Sequence, residues 1–337
     1  MDDQAAKSPK RRWDLRPVLR EARDLAVYYL VRVIICVIQI LPLSYCQRMC
    51  EGLAWFFGSV LKIRHKVVQE NLKHALPELT SVERLEIERG MWLHLFQMIC
   101  EIALAGRKIH ETNWRQYYHI TNRRALVQSF IQPRALVAVT AHFGNFAMCG
   151  YISGLLGFPT HTIARPLDNK YLHDFLMKFR GATGQYVLPT KGSAEEALQV
   201  VEAGETLALL GDHYGGKKGC WVDFFHRKAS CHKAIALFSL ANEIPLAVVY
   251  TLRRGGLMEF ELRCVDTFDP AESDGQLDTV PDLTQWYNRH IEDSVLMAPE
   301  QYWWLHRRWK DGRKQRKKAK VPQTDKGKVD DSRDAAA

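Results

Sequence analysis

The central part of the chain alternates short apolar runs with segments of helical periodicity. Continuous apolar runs predict buried strands, and apolar residues three or four positions apart predict helices that cover them. The predicted strands are 135–141, 161–164, 206–211 and 246–252, and the predicted helices are 145–156, 170–183, 194–203, 232–242 and 283–297. This alternation predicts an α/β fold with a central, mostly parallel sheet flanked by helices. A further strand, 258–265, is predicted to be antiparallel because only a short loop precedes it.

The N-terminal part has a different pattern. Residues 1–24 form a polar lead-in, and residues 25–43 form the most apolar window, long enough to cross a hydrocarbon core of roughly 30 Å. Arg32 lies inside that window and is costly in lipid. We predict that 25–63 is a hydrophobic anchor followed by an aromatic interfacial helix. Two alternatives stay open: the anchor spans the bilayer or lies in one leaflet. A long buried core helix is a third interpretation.

The remaining boundaries follow from composition. Residues 64–118 have helical periodicity, with Ser81 as the expected cap of a long helix that carries Glu101 among apolar residues. We assign 64–310 to one catalytic domain. Residues 311–337 are polar and charged, cannot bury a core, and are predicted to be a basic disordered tail.

Charge changes this picture only at the C-terminal end. The formal net charge is +9, and the segment from His306 to Val321 holds nine Lys or Arg and one acid. Such a run suits anionic lipid, nucleic acid or an acidic protein. No nucleic-acid-binding motif accompanies it. Together with the apolar N-terminal region and nearby tryptophans, it favours a membrane-facing role, and no nucleic-acid partner is expected.

The eight cysteines are scattered and include no CxxC pair. Most lie in apolar surroundings, which favours reduced core thiols in a cytosol-facing protein over a disulfide framework or a metal site. We therefore expect no metal.

Polar clusters follow the predicted strands. The first begins at His142, whose imidazole titrates near neutrality and lies at a strand-to-helix turn, where a base can reach a substrate. A histidine that caps the helix or fills the core is the alternative. The clusters are His142-Phe143-Gly144-Asn145, Arg165 to Asn169, Lys191-Gly192-Ser193, and Gly211 to Gly219 followed by Val222 to Phe225. Each cluster can also be explained as turn chemistry alone.

With these residues the chain resembles the lipid A biosynthesis lauroyl/myristoyl acyltransferases of Gram-negative bacteria, within the lysophospholipid acyltransferase superfamily. The resemblance covers residues 71–310. The matching pieces are Asn71-Leu72 with Pro77-Glu78, His142 to Asn145, Arg165-Pro166 with Asn169, Lys191-Gly192, Gly211-Asp212 and Phe224-Phe225. The closing stretch, APEQYWWLHRRWK at 298–310, is the most specific of them.

The resemblance implies a glycerolipid-acyltransferase-like fold and transfer of an acyl chain from a thioester to a hydroxyl of a lipid A-type membrane glycolipid. Transfer to another membrane lipid stays open as an alternative. The donor would be acyl carrier protein or coenzyme A, and no cofactor would be needed. His142 would be the general base, with Asp212 as the second catalytic residue. Substrate-binding roles would fall to Gly144, Asn145, Arg165, Asn169 and Lys191. We expect inner-membrane localisation, with the catalytic domain on the cytoplasmic side.

The sequence departs from the family pattern at the position where a carboxylate is expected. The family histidine is followed five positions later by an acid, which here is Ala147. His213 and Asp223 also replace the usual glutamine and proline. Three explanations stay open: another carboxylate orients His142, the histidine works without one, or the protein is an inactive relative that binds lipid or acyl carrier. The candidate carboxylates are Glu101, Asp168, Asp212 and Asp223.

An α/β hydrolase is the other enzyme class considered. It needs a serine in a G-x-S-x-G elbow. Ser153 lacks the first glycine of that motif, and Ser193 lacks the second. The sequence therefore disfavours this class.

Overall fold

The computed structural model describes residues 16–190 and 192–310. Most of the predicted polar lead-in, the predicted basic tail and Lys191 lie outside the described residues.

Seven strands form one sheet, and a two-stranded hairpin lies beside it. The strands are β1 (Tyr118–Thr121), β2 (Leu136–Thr140), β3 (Thr160–Ala164), β4 (Gln185–Pro189), β5 (Thr206–Leu210), β6 (Cys220–Phe224), β7 (Arg227–Cys231), β8 (Leu246–Arg253) and β9 (Phe260–Phe268). The sheet order is β1-β9-β8-β2-β5-β3-β4, and β6 pairs with β7. Every neighbouring pair in the sheet is parallel except β8 with β9. The predicted α/β class and the antiparallel last strand are thereby confirmed.

Helices cover both faces of this sheet. The helices are α1 (Arg16–Ile40), α2 (Leu43–Ala54), α3 (His65–Ala75), α4 (Ser81–Lys108), α5 (Arg123–Phe130), α6 (Phe146–Leu155), α7 (Lys170–Gly181), α8 (Ser193–Glu202), α9 (Ala234–Ala241) and α10 (Val280–Met297). Val137 and Val139 of β2 pack in one buried cluster with α9 and α10, whereas Leu136 and Ala138 pack in another with α6. Successive strand residues point to opposite faces, so β2 is buried on both sides.

The parallel register brings two strand ends together. In β2 and β5, Thr140 lies opposite Leu210, and the Gly211 amide donates to the Thr140 carbonyl at 2.7 Å. Both strands therefore end at the same edge of the sheet, where ligands bind in open α/β folds. The residues that follow them, at positions 142 and 212, are adjacent for this reason.

The N-terminal helix begins earlier than the predicted apolar window and packs against α4 and α7. Its Gln39 side chain donates to the Ala103 carbonyl of α4 at 2.8 Å. The Arg32 guanidinium lies 4.9 Å from the ring centroid of Phe175 in α7 and donates to the Tyr28 hydroxyl. Arg32 is thus an exposed cation stacked on an aromatic ring. In the described parts of the chain, no helix has the length and apolar character needed to cross a bilayer.

Candidate active site

The His142 side chain is held by Asp212. Nδ1 of His142 lies 2.9 Å from Oδ1 and 3.1 Å from Oδ2 of the carboxylate, and the His142 backbone N–H donates to Oδ2 at 3.1 Å. Both side chains are almost fully buried, at 8% and 3% exposure. The expected carboxylate near the imidazole, at a position other than 147, is therefore present. Three contacts to one acid fix both the ring and the start of the turn.

Electrostatics keep Asp212 ionised. Burial by itself would raise the pKa of this carboxyl, but the neighbouring His142 and its hydrogen bonds outweigh burial and hold the pKa well below its usual range. An ionised carboxylate is only an acceptor, so Nδ1 of His142 carries the hydrogen. The other ring nitrogen, Nε2, is left as the proton acceptor.

Position 147 lies in a different environment. Ala147 lines a mainly apolar cavity of about 120 Å³ on the α6 side of the sheet. Its other lining residues are Phe130, Ala138, Thr140, Phe146, Cys149, Gly150, Ser153, Thr160, Thr162, Ile163, Ala164, Arg180, Gln185, Ala208, Leu209, Leu210 and Val249. Ala147 thus forms part of a cavity wall at the position where the family has an acid. The contact with His142 Nδ1 is made by Asp212.

The other three candidate carboxylates have different partners. Asp168 pairs with Arg165, and both side chains are exposed. Asp223 pairs with Lys228 in the exposed part of the β6–β7 hairpin. Glu101 is fully buried and binds other groups described below. Asp212 is the one that contacts His142.

The turn after His142 depends on a glycine and an asparagine. Gly144 has φ +57°, and a Cβ atom there would collide with the Thr251 carbonyl oxygen. Asn145 caps α6, because its Oδ1 accepts from the Met148 amide at 3.3 Å. Its Nδ2 donates to Glu101 at 2.8 Å, and the residue is fully buried. The Asn145 side chain therefore holds the start of α6 in place through these two hydrogen bonds.

The amides of this turn are already bonded. Gly144 N–H donates to the Gln301 carbonyl at 2.9 Å, and Asn145 N–H donates to the Thr251 carbonyl at 2.8 Å. Donors for a developing oxyanion must be groups that are free to meet it. These two amides do not meet that requirement, because each already donates to a backbone carbonyl.

Behind the turn lies a buried polar network centred on Arg253. Its Nε and Nη2 bind the two Glu101 oxygens at 2.5 and 2.7 Å, and Nη1 lies 2.9 Å from both His94 Nδ1 and Gln97 Oε1. His94 Nε2 lies 3.2 Å from the Gly144 carbonyl oxygen. Burial, reinforced by the Arg253 charge, lowers the pKa of His94 to about 3. His94 is therefore neutral, with Nε2–H donating to Gly144.

The C-terminal segment, residues 298–310, completes the site. The Trp303 amide donates to the His142 carbonyl at 3.0 Å, and the Gln301 carbonyl accepts from Gly144. The Trp303 ring centroid lies 5.1 Å from that of His142, and the Trp303 and His306 rings are stacked. The sequence marked this stretch as a family signature and as part of a membrane-facing surface, and did not predict its contact with His142. Its aromatic density and basic residues were the signal that could have placed it at the site.

Two more histidines face His142. The ring centroids of His213 and His306 lie 4.5 and 4.8 Å from that of His142. Loss of surrounding water and the neighbouring His142 lower the pKa of both, to about 4 for His306. At neutral pH both rings are therefore uncharged and do not compete with His142 for the Asp212 charge.

The His142–Asp212 pair opens onto a surface pocket of about 520 Å³. The pocket is lined by Arg64, Val67, His142, Asp212, His213, Tyr214, His306, Arg307 and Lys310. It is large enough for a polar headgroup or the end of a thioester arm. Within residues 16–190 and 192–310, no group of three His, Cys, Asp or Glu side chains is arranged to hold a metal ion.

Arg165 and Asn169, the substrate-binding residues predicted from the second cluster, do not line this pocket. Arg165 is 79% exposed and pairs with Asp168 at 3.2 Å. Asn169 caps α7 and donates from Nδ2 to the Asp24 carbonyl of α1 at 2.7 Å. Lys191 lies outside the described residues. The roles predicted for Arg165 and Asn169 stay predictions.

The serine positions do not resemble a hydrolase elbow. Ser153 lies in the second half of α6, where its hydroxyl donates to the Cys149 carbonyl at 3.0 Å. Such back-bonding is ordinary for a helical serine. Ser193 begins α8.

Comparisons with known proteins agree with one another. The family model described as bacterial lipid A biosynthesis acyltransferase matches residues 17–311. The lipid A biosynthesis lauroyltransferase of Escherichia coli K12 is 24% identical over 276 residues, which cover 80% of this chain and 87% of that protein. The palmitoleoyltransferase of the same organism is 22% identical over 253 residues, covering 74% and 80%. The lipid A biosynthesis acyltransferase of Haemophilus influenzae is 23% identical over 272 residues, covering 78% and 81%.

Among solved structures, the 1-acyl-sn-glycerophosphate acyltransferase of Thermotoga maritima covers 80% of this chain and 100% of its own, at 10% identity and a TM-score of 0.37. A likeness this low supports no conclusion about the present chain.

Proposed function

This chain belongs to the bacterial lipid A biosynthesis acyltransferases, and from that premise we propose that it transfers a fatty acyl chain from a carrier-protein or coenzyme A thioester to a hydroxyl of a lipid A-type glycolipid precursor. The observation that carries the proposal is the buried His142–Asp212 pair at the edge of an open pocket. This pair supports activity over an inactive relative, because the base and its orienting acid are both in place.

In the proposed reaction, Nε2 of His142 removes the proton from the acceptor hydroxyl. The oxygen then attacks the thioester carbonyl carbon, and the tetrahedral intermediate collapses with cleavage of the carbon–sulfur bond. The proton held on His142 passes to the departing thiolate, so the products are an ester and a free thiol. Asp212 keeps the required tautomer and stabilises the imidazolium, as the acid does in a serine protease triad.

The apolar cavity beside Ala147 supports an acyl substrate. Its wall includes Thr140, two residues before His142, and Phe146, whose ring centroid lies 5.3 Å from that of His142. An acyl chain entering here would leave water, which favours binding by about 0.8 kcal/mol for each buried CH₂. We assign this cavity to the acyl chain, with Ala147 contributing to its apolar wall.

We further propose that the N-terminal helices attach the protein to a membrane surface. Large apolar side chains of α1, α2 and the π-helical turn Trp55–Val60 are exposed, among them Leu30, Val33, Ile34, Tyr45, Trp55 and Phe56. An apolar patch of this extent on a protein surface is typical of a membrane or protein contact. The proposed site is the inner membrane, with the pocket on the cytoplasmic side.

The test of the function is mass spectrometry of membrane lipids from cells with and without the gene. Loss of one acyl chain from the glycolipid would identify the acceptor and the chain length together. The purified full-length protein, supplied with that acceptor and an acyl thioester, should restore the chain. His142→Ala should abolish the reaction because it removes the imidazole that Asp212 orients in the pocket.

Arg124→Gln is the matched control, since Arg124 is an exposed residue of α5 that does not line the pocket. Unchanged acyl transfer in His142→Ala would contradict the assignment of the base. An unaltered lipid profile in cells without the gene would favour the alternative of an inactive relative that binds lipid or acyl carrier.

A further inference from the structure

The pocket beside His142 also holds cations from two distant parts of the chain. Arg64 comes from the residue before α3, whereas Arg307 and Lys310 come from the C-terminal segment. These parts are fastened to each other: Arg64 Nη1 donates to the Leu305 carbonyl at 2.8 Å, and Asn71 Nδ2 donates to the His306 carbonyl at 2.7 Å. The convergence is therefore built into the fold.

The pocket is electropositive. Asp212 is its single acidic lining residue in the described part of the chain, and this carboxylate is buried and bound to His142. The Lys310 ammonium lies over the ring of Tyr214, 5.0 Å from the ring centroid, and both residues line the pocket. One Arg64 N–H is used by Leu305, and a guanidinium has five N–H donors. An anion entering the pocket would meet three cations and no competing free acid.

We propose that Arg64, Arg307 and Lys310 bind a phosphoryl group of a substrate and so position its reacting end beside His142. A phosphoryl group has several peripheral oxygens and up to two negative charges, so it can engage three cations at once; a carboxylate has only two oxygens. Arginine is well suited to such recognition because its planar fork matches phosphate geometry. The proposal rests on the proposed acyl transfer, and it assigns phosphate recognition to residues other than Arg165, the arginine for which the resemblance implied a substrate-binding role.

Two substrates could supply the phosphoryl group: the phosphopantetheine arm of the donor and a phosphate ester on the acceptor. Isothermal titration of the full-length protein in detergent can separate them without catalysis. One pair of probes is 4′-phosphopantetheine and pantetheine, and the other is glucosamine 1-phosphate and glucosamine. The pair in which the phosphorylated probe binds at least tenfold more tightly identifies the source.

Arg64→Gln and Arg307→Gln should each weaken binding of that phosphorylated probe by about tenfold, the usual effect of losing one charge-assisted contact. Binding of the phosphate-free probe should stay unchanged. Arg124→Gln is the charge-matched control and should have no effect. If Arg64→Gln does not fold because the bond to Leu305 is lost, Arg307→Gln gives the answer, since its side chain is exposed.

Two results would overturn the proposal: equal binding within both probe pairs, or full phosphate-dependent binding in Arg307→Gln and Lys310→Gln. Kinetics separate this failure from failure of the proposed function. If phosphate binding depends on these cations but His142→Ala still transfers acyl chains, the anion site stands and the assignment of the base is wrong. If His142→Ala is inactive while Arg307→Gln keeps the wild-type KM for the phosphate-bearing substrate, the assignment of the anion site alone is wrong.

Discussion

The family pattern suggested an acid at position 147, whereas this chain has a methyl group there and a carboxylate at position 212. Asp212 orients His142 through Nδ1, and Ala147 keeps a cavity wall apolar. The substitution at 147 therefore removes no contact from the imidazole. Of the three explanations left open by the sequence, the contact to Asp212 supports the first, in which another carboxylate orients the histidine.

Replacing Asp212 by asparagine should lower kcat strongly while leaving the fold intact. An amide can turn its NH₂ group toward Nδ1 and favour the wrong tautomer, an effect that costs roughly 10⁴ in serine proteases. We expect a loss of about 10³ to 10⁴ in kcat with little change in KM for the thioester. Steady-state kinetics on the purified enzyme checks this. A loss below tenfold would show that His142 works without its orienting acid.

A second arm of the same experiment adds Ala147→Glu to the Asp212→Asn enzyme. If the two positions were interchangeable, this acid would restore the rate. Because position 147 lines the apolar cavity, we expect no rescue and weaker binding of the acyl donor.

At the residue scale the sequence identified His142 and Asp212 but could not pair them. Seventy positions separate the two, and their contact depends on the register of β2 against β5. The family resemblance also implied a substrate-binding role for Arg165. The structure shows Arg165 exposed beside Asp168, and pocket cations come instead from a loop before α3 and from the C-terminal segment.

At the scale of elements, the turn after β2 is supported by the buried Arg253 network. His94 donates to the Gly144 carbonyl and is approached by Arg253, so it remains neutral while folded. In the unfolded chain its pKa returns to about 6.5. Between pH 6.5 and the folded value of about 3, the unfolded state binds the extra proton, so the free energy of unfolding falls as the pH falls.

His94→Gln should reduce that dependence on pH. Uptake of one proton by the unfolded state changes the free energy of unfolding by up to about 1.4 kcal/mol per pH unit. The variant should lack this contribution to the slope between pH 6 and about 4.5. Urea denaturation at several pH values measures it. His119, an exposed residue of β1, provides the control variant His119→Gln, which should keep the wild-type slope. An unchanged slope in His94→Gln would contradict the neutral, buried state of that ring.

Sequence patterns predicted the buried elements better than the exposed ones. The runs that became β2, β5 and β8 are apolar on both faces, which is the pattern of interior parallel strands. The β6–β7 hairpin was not predicted, because its two-residue turn is Phe225-His226, with φ of +48° and +60° in place of the usual Asn-Gly. Edge strand β4 was missed because its residues are only partly buried.

The cap of the long helix α4 was also displaced by one residue. Thr80 forms a capping box with Glu83, whereas Ser81 was the expected cap.

The family resemblance drawn from the motifs is confirmed by the match over residues 17–311.

At the scale of the whole molecule, the proposed membrane contact is testable on intact protein. Ile34→Glu and Trp55→Glu place charges at side chains that are 47% and 64% exposed. Burial of such a side chain in the interface contributes about 1.5 to 3 kcal/mol, so each variant should bind vesicles of phosphatidylcholine with phosphatidylglycerol at least tenfold more weakly. Cosedimentation measures the partition.

Ile131→Glu is the matched control for these variants. Ile131 is equally exposed, at 63%, but precedes β2 and so lies at the opposite end of the strands from the pocket. It should bind vesicles as the wild type does. Equal loss in all three variants would point to a general effect of charge, and no loss in any would contradict the proposed surface.

The hydrogen bonds between the C-terminal segment, residues 298–310, and the turn after β2 also bear on how the site is assembled. Gln301 and Trp303 bond to the backbone of Gly144 and His142, so the turn lacks these two bonds until the segment has folded onto it. A fragment cut before residue 298 keeps every residue of β2 and β5 but lacks both bonds, and it should leave thioesters untouched. Such a fragment would form the sheet without completing the site.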